Sequence, residues 1–324
     1  MIIKNPVDMN VAEMIQNAPR TAFSFEVLPP LKGNSIDKVF STIDALREFD
    51  PKYINITSHR SELVYKSTEN GLYRQVSEKS RPGSVAVAAA IQYKYRIPAV
   101  PHLICSGFSR QETEYALIDL NFLGITDLLV LRGDKAKHEA RFAPHPEGHA
   151  HAIELERQIN RFNDGYFLDG SHMTLDHKFS YGVAGYPEKH DEAPNLETDL
   201  RRLKEKVDEG ASYVVTQMFF DNAKYFDFVA RCRAVGIDVP IVPGLKPVTA
   251  VSQLTVLPKV FHVDLPETLA QELAKCRDDA AAREVGVEWC IGQARELIAH
   301  GVPSIHFYSL MATESVRRVA AAVY

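Results

Sequence analysis

The sequence predicts an α/β fold, a single (β/α)8 TIM barrel, and three observations support this prediction. Eight short apolar, β-branched runs alternate with amphipathic runs along the 324 residues. The strand runs are apolar throughout, which is typical of parallel strands buried on both faces. No segment rich in Pro, Gly or Ser divides the chain, so we expect one domain over residues 1–324, with an N-terminal extension over about residues 1–20. A doubly wound open sheet is the alternative.

The order of the elements follows from these runs. The strands are predicted at residues 22–27, 53–57, 99–104, 127–131, 180–185, 213–217, 239–242 and 304–308. The helices are predicted at residues 36–48, 84–95, 110–123, 151–162, 195–209, 222–234 and 267–299, the last of them broken. Ser109 followed by Glu112 is a capping box that begins the third of these helices.

Composition and charge narrow the class of protein. The chain is 45% hydrophobic and 24% charged, which is ordinary for a globular protein. A net charge of −5 gives no basic surface for nucleic acid. Four widely spaced cysteines predict reduced thiols in the cytoplasm. There is no signal-peptide pattern and no apolar run of membrane-spanning length, so we expect no membrane partner.

Polar residues stand at the ends of several predicted strands. Glu26, Thr57 and Gln217 close three of the runs, and Leu131-Arg132-Gly133-Asp134 closes a fourth. In a barrel these ends meet at the face that carries catalysis, which predicts one active site. A carboxyl group at an apolar strand end loses hydration, which raises its pKa and suits Glu26 to general-acid catalysis. The alternative is a strand-end ion pair of Glu26 with Arg or Lys.

Other candidate site residues also have structural interpretations. Arg132 and Asp134 either form an ion pair across the Gly133 turn, or Asp134 accepts hydrogen bonds from a ligand. The segment Tyr186-Pro187-Glu188-Lys189-His190 offers a stacking ring and a hydrogen-bond donor, or serves structure alone. Asp199 and Lys206 share one helix face, which by default is a solvated charge stripe.

Two long loops extend from the same strand ends. Residues 60–83 are expected to contain an extra helix near residues 71–79, and residues 135–150 are polar. Four histidines fall in or beside the second loop, at positions 138, 145, 149 and 151, but their spacing matches no metal-binding pattern. We predict no metal site. No G-x-G-x-x-G or Walker A pattern occurs, so a bound dinucleotide would not use a Rossmann turn.

Taken in order, several segments closely resemble the methylenetetrahydrofolate reductase family, the FAD-dependent (β/α)8 barrels of one-carbon metabolism. The matching segments are Phe23-Ser24-Phe25-Glu26-Val27-Leu28-Pro29-Pro30, Pro101-His102-Leu103, Leu131-Arg132-Gly133-Asp134, Ala184-Gly185-Tyr186-Pro187-Glu188-Lys189-His190, Asp199-Leu200, Lys204-Glu205-Lys206-Val207, Thr216-Gln217-Met218-Phe219-Phe220-Asp221, Val242-Pro243-Gly244-Leu245-Lys246-Pro247-Val248 and His306-Phe307-Tyr308-Ser309-Leu310. The chain is similar to the short bacterial form, without the eukaryotic regulatory domain.

The resemblance implies roles for individual residues. Glu26 is expected to be the general acid that opens the folate ring, and Asp134 the second catalytic carboxylate, beside the flavin. Residues expected to bind the folate substrate are Gln217, Gln253 and Arg283. Residues expected to bind FAD are Thr57, His102, Arg132, Gly133, Asp134, Tyr186, His190, Asp199 and Lys206.

The activity that the resemblance implies is reduction of 5,10-methylenetetrahydrofolate to 5-methyltetrahydrofolate, with NADH or NADPH as the reductant. Both substrates would use the same flavin face in turn, which implies ping-pong kinetics. Two alternatives stay open: another flavin barrel, such as a proline-dehydrogenase-like enzyme, and a barrel that binds ligands without catalysis. Because barrel enzymes often self-associate, we also expect a homo-oligomer.

Overall fold

A computed structural model describes residues 9–135, 139, 141–310 and 312–324. The strands are β1 Ala22–Val27, β2 Pro51–Ile56, β3 Glu62–Ser67, β4 Tyr73–Glu78, β5 Ala99–Ile104, β6 Asp127–Leu131, β7 Ser180–Gly185, β8 Tyr213–Met218, β9 Ile241–Leu245 and β10 Ser304–Phe307. Eight of them close a parallel barrel in the order β1-β10-β9-β8-β7-β6-β5-β2. The barrel prediction is confirmed, and the doubly wound alternative is wrong because the sheet closes on itself.

Helices cover the outside of the barrel, and one further helix precedes the first barrel strand while another follows the last. They are α1 Val11–Gln16, α2 Asp37–Leu46, α3 Ser84–Tyr95, α4 Arg110–Phe122, α5 Ala152–Asn163, α6 Leu196–Glu209, α7 Asn222–Ala234, α8 Gln253–Phe261, α9 Glu267–Ala274, α10 Asp279–Ala299 and α11 Thr313–Val323. The predicted capping box is present, because Ser109 and Glu112 bond each other's backbone amides at the start of α4. In the described part of the chain, no helix has both the length and the apolar character of a membrane span.

Side chains alternate between the two faces of each barrel strand. In β1, Phe23 and Phe25 pack into the main core under the helices, while Ser24 and Glu26 occupy the alternate positions, which face the barrel interior. All eight strands are parallel, so their carboxyl ends meet at one mouth. Polar residues that follow different strands are therefore brought to the same end of the molecule.

The opposite end of the barrel is closed by α1. Its apolar residues Val11, Met14 and Ile15 pack with residues from the starts of the barrel strands, including Ala22. The amide of Val11 donates to the Asp127 carboxylate at 2.9 Å, which satisfies one free N–H of the first helical turn. The first described residues thus complete the floor of the barrel.

The predicted helix near residues 71–79 is wrong, because this segment forms a hairpin of β3 and β4. The turn is closed by Thr68, whose amide and hydroxyl both donate to the Leu72 carbonyl, at 2.7 and 2.8 Å. Gly71 adopts a φ of +73°, which glycine takes without strain. Cross-strand backbone pairing thus replaces the hydrogen bonds of a helix.

Smaller differences concern element ends and three further helices. The strand expected at residues 239–242 is β9, which begins at Ile241 and ends at Leu245. The long run at residues 267–299 is broken into α9 and α10, as predicted. Helices α1, α8 and α11 were not predicted; α11 buries Val316 and Val319 against its neighbours, so tertiary packing supports it.

Candidate active site

Glu26 lies near the end of β1 and is only 4% exposed. Burial raises the pKa of its carboxyl group to about 8, and Lys246, which follows β9, acts in the opposite direction. A lysine is therefore present near Glu26, as the ion-pair alternative expected, but burial has the larger effect on the pKa of Glu26. Glu26 accordingly keeps its proton at neutral pH, which is the state that a general acid requires.

A buried amide lies beside Glu26. Asn55 of β2 is the register partner of Glu26, so the two side chains lie on the same face of adjacent strands. Among the described residues, neither polar atom of the Asn55 side chain has a hydrogen-bond partner. Buried polar groups are rarely left unpaired, so this part of the mouth offers one donor and one acceptor to a ligand or a water molecule.

The Arg132-Gly133-Asp134 turn follows β6, three strands round the barrel from β1. Gly133 has a φ of +82°, and a Cβ atom there would lie 2.9 Å from the Cβ of Ser106. The Ser106 hydroxyl donates to the Asp134 carbonyl at 2.7 Å and holds the turn in place. Arg132 forms its salt bridge with Glu192, so the ion pair expected with Asp134 gives way to a different partner.

Four of the predicted cofactor residues cluster beyond β7. The rings of Tyr186 and His190 meet edge to face, with centroids 4.7 Å apart. The amide of His190 donates to the Asp199 carboxylate at 2.9 Å, and the Lys206 ammonium donates to the Ala184 carbonyl at 2.9 Å. Asp199 and Lys206 therefore point toward the end of β7, and the solvated-stripe interpretation of this helix face is wrong.

Two more polar residues lie on adjacent strands: Thr57 directly follows β2, and His102 is in β5. The Thr57 hydroxyl lies 3.2 Å from Nε2 of His59. His102 is buried in β5, and its Nε2 has no partner in the part of the chain that the structure describes. Burial lowers the pKa of His102 to about 3, so the ring is neutral at physiological pH.

The three predicted substrate residues differ in their surroundings. Gln217 ends β8 and accepts a hydrogen bond from the adjacent Met218 amide at 3.0 Å. Gln253 begins α8 and accepts from the Thr249 amide at 2.8 Å. Arg283 is exposed on α10, within two turns of its start. Gln217 therefore lies at the mouth, Gln253 is in the segment that follows β9, and Arg283 lies near the start of α10.

The groups present fit a flavin dinucleotide. The unpartnered Nε2 of buried His102 is free to bond a ligand, and the Thr57 hydroxyl and the Lys206 ammonium supply donors for ribose and phosphate oxygens. Tyr186 adds an aromatic face. Such scattered donors would take the place of the glycine-rich turn that the sequence lacks.

Several groups at the mouth were not assigned a role from the sequence. Asn55 and His59 lie beside predicted site residues, and Lys246 acts on Glu26. The signal for Lys246 was present, because it directly follows an apolar strand. The loop histidines are engaged locally: His149 lies 2.6 Å from the Gln158 amide oxygen, and His138 lies outside the described residues. The described residues contain no group of three or more His, Cys, Asp or Glu side chains placed to hold a metal.

Comparison with known proteins identifies the relatives of this chain. It is 30% identical over 296 residues to 5,10-methylenetetrahydrofolate reductase of Pectobacterium carotovorum subsp. carotovorum, covering 91% of this chain and 87% of the relative. The Escherichia coli K12 enzyme is also 30% identical, over 90% of this chain and 86% of its own. Methylenetetrahydrofolate reductase 1 of Schizosaccharomyces pombe is 29% identical over 93% of this chain but 45% of its own length. The chain thus spans about half the length of the eukaryotic relatives it matches.

A solved structure has the same fold. An uncharacterized protein from Clostridium thermocellum, described as binding two copies of 5-methyl-5,6,7,8-tetrahydrofolic acid, aligns with a TM-score of 0.56. The alignment covers 96% of this chain and 97% of that one at 14% identity, so it supports the fold alone. The family model described as methylenetetrahydrofolate reductase matches residues 11–323. Since this match spans nearly the whole chain, the chain belongs to the methylenetetrahydrofolate reductase family.

Proposed function

We propose that this chain reduces 5,10-methylenetetrahydrofolate to 5-methyltetrahydrofolate, with NADH or NADPH as the reductant and FAD as the bound cofactor. The observation that carries the proposal is the state of Glu26, a buried carboxyl group that is protonated at neutral pH and lies at the same barrel end as Asp134. The names of the bacterial relatives support the same reaction. The folate named in the description of the Clostridium thermocellum protein has the chemistry of the product.

The chain's own residues would hold FAD on the side of the mouth formed by β2, β5, β6 and β7. FAD supplies the hydride chemistry that amino-acid side chains cannot provide. Lys206 and Arg132 offer positive charge to its phosphates, and Tyr186 offers a flat surface. The full set proposed to contact it is Thr57, His102, Arg132, Gly133, Asp134, Tyr186, His190, Asp199 and Lys206.

Glu26 acts as the proton donor in this proposal. Its carboxyl group gives a proton to the folate nitrogen that leaves when the C–N bond of the five-membered ring breaks, and Glu26 becomes a carboxylate. The low exposure of Glu26 keeps bulk water away from this proton. Asp134 lies across the mouth, where its carboxylate accepts hydrogen bonds from the pterin N–H groups.

Three further residues are proposed to position the folate. Gln217 is an amide at the mouth and Gln253 an amide in the segment that follows β9, and each is able both to donate hydrogen bonds to the pterin and to accept them from it. Arg283 is exposed on α10, where its guanidinium is suited to the carboxylates of the glutamate tail. If both substrates use one face of the site, each must leave before the other binds, so we expect ping-pong kinetics.

The first test is the visible absorbance of the purified protein, followed by anaerobic titration with NADH, NADPH, methylenetetrahydrofolate and proline. We expect a yellow protein that a nicotinamide bleaches and that methylenetetrahydrofolate recolours. A colourless protein that does not take up FAD would instead indicate a binding barrel. Bleaching by proline would indicate a proline-dehydrogenase-like enzyme. The same titration reports which nicotinamide is preferred.

The second test separates the two half-reactions. Glu26→Gln should keep reduction by the nicotinamide, since no proton from Glu26 is needed there, and should slow the folate half-reaction at least about 100-fold. Glu205→Gln on the exposed face of α6 is the matched control. A Glu26→Gln enzyme that reduced folate at the wild-type rate would overturn the role of Glu26.

Oligomerisation and cellular location are also part of the proposal. We propose a homo-oligomer, by analogy with other barrel enzymes, which analytical ultracentrifugation measures directly. A cytoplasmic location is supported by the four cysteines, all of which are free thiols. Cell fractionation of the source organism tests it.

A further inference from the structure

Lys246 is a buried cation that the proposed mechanism leaves without a task. It is 8% exposed and directly follows β9. The loop after it is fixed against α10, because a Cβ atom on Gly286 would lie 2.1 Å from the Val248 carbonyl oxygen. Below it in the barrel, Gly244 leaves room for the Tyr308 ring, which a Cβ atom there would approach to 2.6 Å. The backbone that carries Lys246 is thus closely constrained on two sides.

Strand register places Lys246 in one row with Glu26. Phe25 of β1 is paired with Phe307 of β10, and Phe307 is paired with Leu245 of β9. These three residues lie in the main core under the helices. The next residue of each segment therefore faces the barrel interior, which puts Glu26, Tyr308 and Lys246 side by side at the mouth.

The two charged groups of this row act on each other. Burial raises the pKa of Glu26, and the positive charge of Lys246 lowers it. Burial lowers the pKa of Lys246, and the negative charge of Glu26 raises it. Tyr308 lies between them in the row, and its hydroxyl donates to the Thr216 carbonyl at 2.6 Å. Cys290 of α10 is the other titratable group that interacts electrostatically with Lys246.

Neither of the other titratable groups changes charge near neutral pH. Burial raises the pKa of Tyr308 well above its usual value and that of Cys290 to about 12. Asn55, on the other side of Glu26, does not titrate. The charge balance of this row at working pH therefore depends on Glu26 and Lys246 alone.

We propose that Lys246 is a positioning residue for Glu26, whose ammonium group stabilises the carboxylate that Glu26 becomes when it gives up its proton. The inference rests on the proposed function for its place in the reaction. The proton passes from the Glu26 carboxyl group to the departing folate nitrogen, and Lys246 stays protonated throughout. A buried carboxylate with a cation beside it forms more readily than one without, so proton transfer to the substrate becomes easier.

The direct test is an infrared titration of Glu26 in the FAD-loaded protein without substrate. The band of the protonated carboxyl group is assigned by its loss in Glu26→Gln. In Lys246→Met this band should persist to a pH at least about one unit higher than in the wild type, because an opposite charge has been removed. Lys246→Arg should restore the wild-type midpoint, and Lys246→Gln is a second neutral variant should the Met variant not fold.

Lys204→Met is the matched control. Lys204 pairs with Asp208 one turn further along α6, so this variant also removes a lysine from an ion pair but not from the mouth. It should leave the Glu26 midpoint unchanged. An unchanged midpoint in both neutral Lys246 variants would overturn the inference.

The folate half-reaction gives an independent readout. In Lys246→Met its rate should fall at least about tenfold, and its basic limb should move to higher pH, while the nicotinamide half-reaction keeps its rate. Lys246→Arg should recover most of the loss. If the wild type titrates as expected but never reduces folate, the proposed function fails and the pairing of Lys246 with Glu26 stands.

Discussion

Replacing Glu26 by Gln is expected to make the protein more stable while it removes the proposed acid. An unfolded Glu ionises with a pKa near 4.5, but burial raises that of Glu26 to about 8. Between these values the unfolded state releases a proton that the folded state keeps. Ionisation therefore favours unfolding, and its effect is absent below pH 4.5 and grows as the pH rises toward 8. A Gln side chain has no such dependence.

The size of the effect follows from the shift. At pH 7 the pH is about 2.5 units above the pKa of an unfolded Glu, and each unit corresponds to about 1.4 kcal/mol. The free energy of unfolding is therefore lower by about 3 kcal/mol than it would be without this ionisation. At pH 5 the same reasoning gives less than about 1 kcal/mol. Since Glu26 is still protonated at both pH values, its attraction to Lys246 contributes little to this difference. The advantage of the variant should therefore grow by about 2 kcal/mol between pH 5 and pH 7.

Urea unfolding measures this difference directly. Wild type and Glu26→Gln are unfolded at pH 5 and pH 7 with the same saturating FAD concentration, and the two free energies of unfolding are compared. Glu205→Gln, at an exposed position on α6, is unfolded in parallel as the matched control. A Glu26→Gln advantage that is equal at both pH values would refute the reasoning, because the carboxyl group would then titrate in the folded protein as it does in the unfolded chain.

Three further predictions concern other parts of the molecule. Asp127→Ala removes the acceptor for the first amide of α1, whereas Asp127→Asn keeps an acceptor oxygen and removes a carboxyl group whose pKa burial raises to about 7. At pH 7 the Asn variant should therefore be more stable than the Ala variant by at least about 1 kcal/mol in urea unfolding. Gly286→Ala should destabilise by at least about 2 kcal/mol because of its contact with the backbone after β9, whereas Gly292→Ala in open space on the same helix should stabilise by about 0.5 kcal/mol. Lys206→Met should weaken FAD binding at least about tenfold, measured by flavin fluorescence, and Lys204→Met should leave it unchanged.

The barrel could be predicted from the sequence because its strands are short apolar runs separated by amphipathic helices. The hairpin of β3 and β4 could not be predicted. Residues 73–78 contain no apolar periodicity strong enough to separate strand from helix, and their pairing with residues 62–67 decides the outcome. Helix α11 is a different case, because its buried residues Val316, Val319 and Ala320 have helical spacing, so the sequence does carry the pattern of an amphipathic helix that packs against α2 and α10. Local pattern fails where the stabilising partner is distant or exposed.

The sequence likewise predicts the positions of some site residues but not of others. That Glu26 and Asp134 share one end of the molecule could be predicted, because all parallel strands of a barrel end at the same mouth. The positions of Lys246 and Asn55 near Glu26 could not be predicted from the sequence. They depend on which strands are neighbours and on their register, and β9 is separated from β1 by more than half the chain. Strand order is a property of the closed barrel rather than of any single segment.

Buried polar groups that cost stability lie at both ends of the barrel, and those at the mouth include the proposed acid. At the mouth, Glu26 and Lys246 are buried in states that disfavour their charges, and Asn55 lacks partners. Each of these features weakens the folded state. At the other end, α1 packs against an apolar cluster, but burial there also raises the pKa of Asp127 to about 7. Around the barrel, the helices bury the outward faces of the strands. Because the main core lies between the strands and the helices, whereas Glu26 faces the barrel interior, a substitution such as Glu26→Gln can raise stability without disturbing the packing that holds the site.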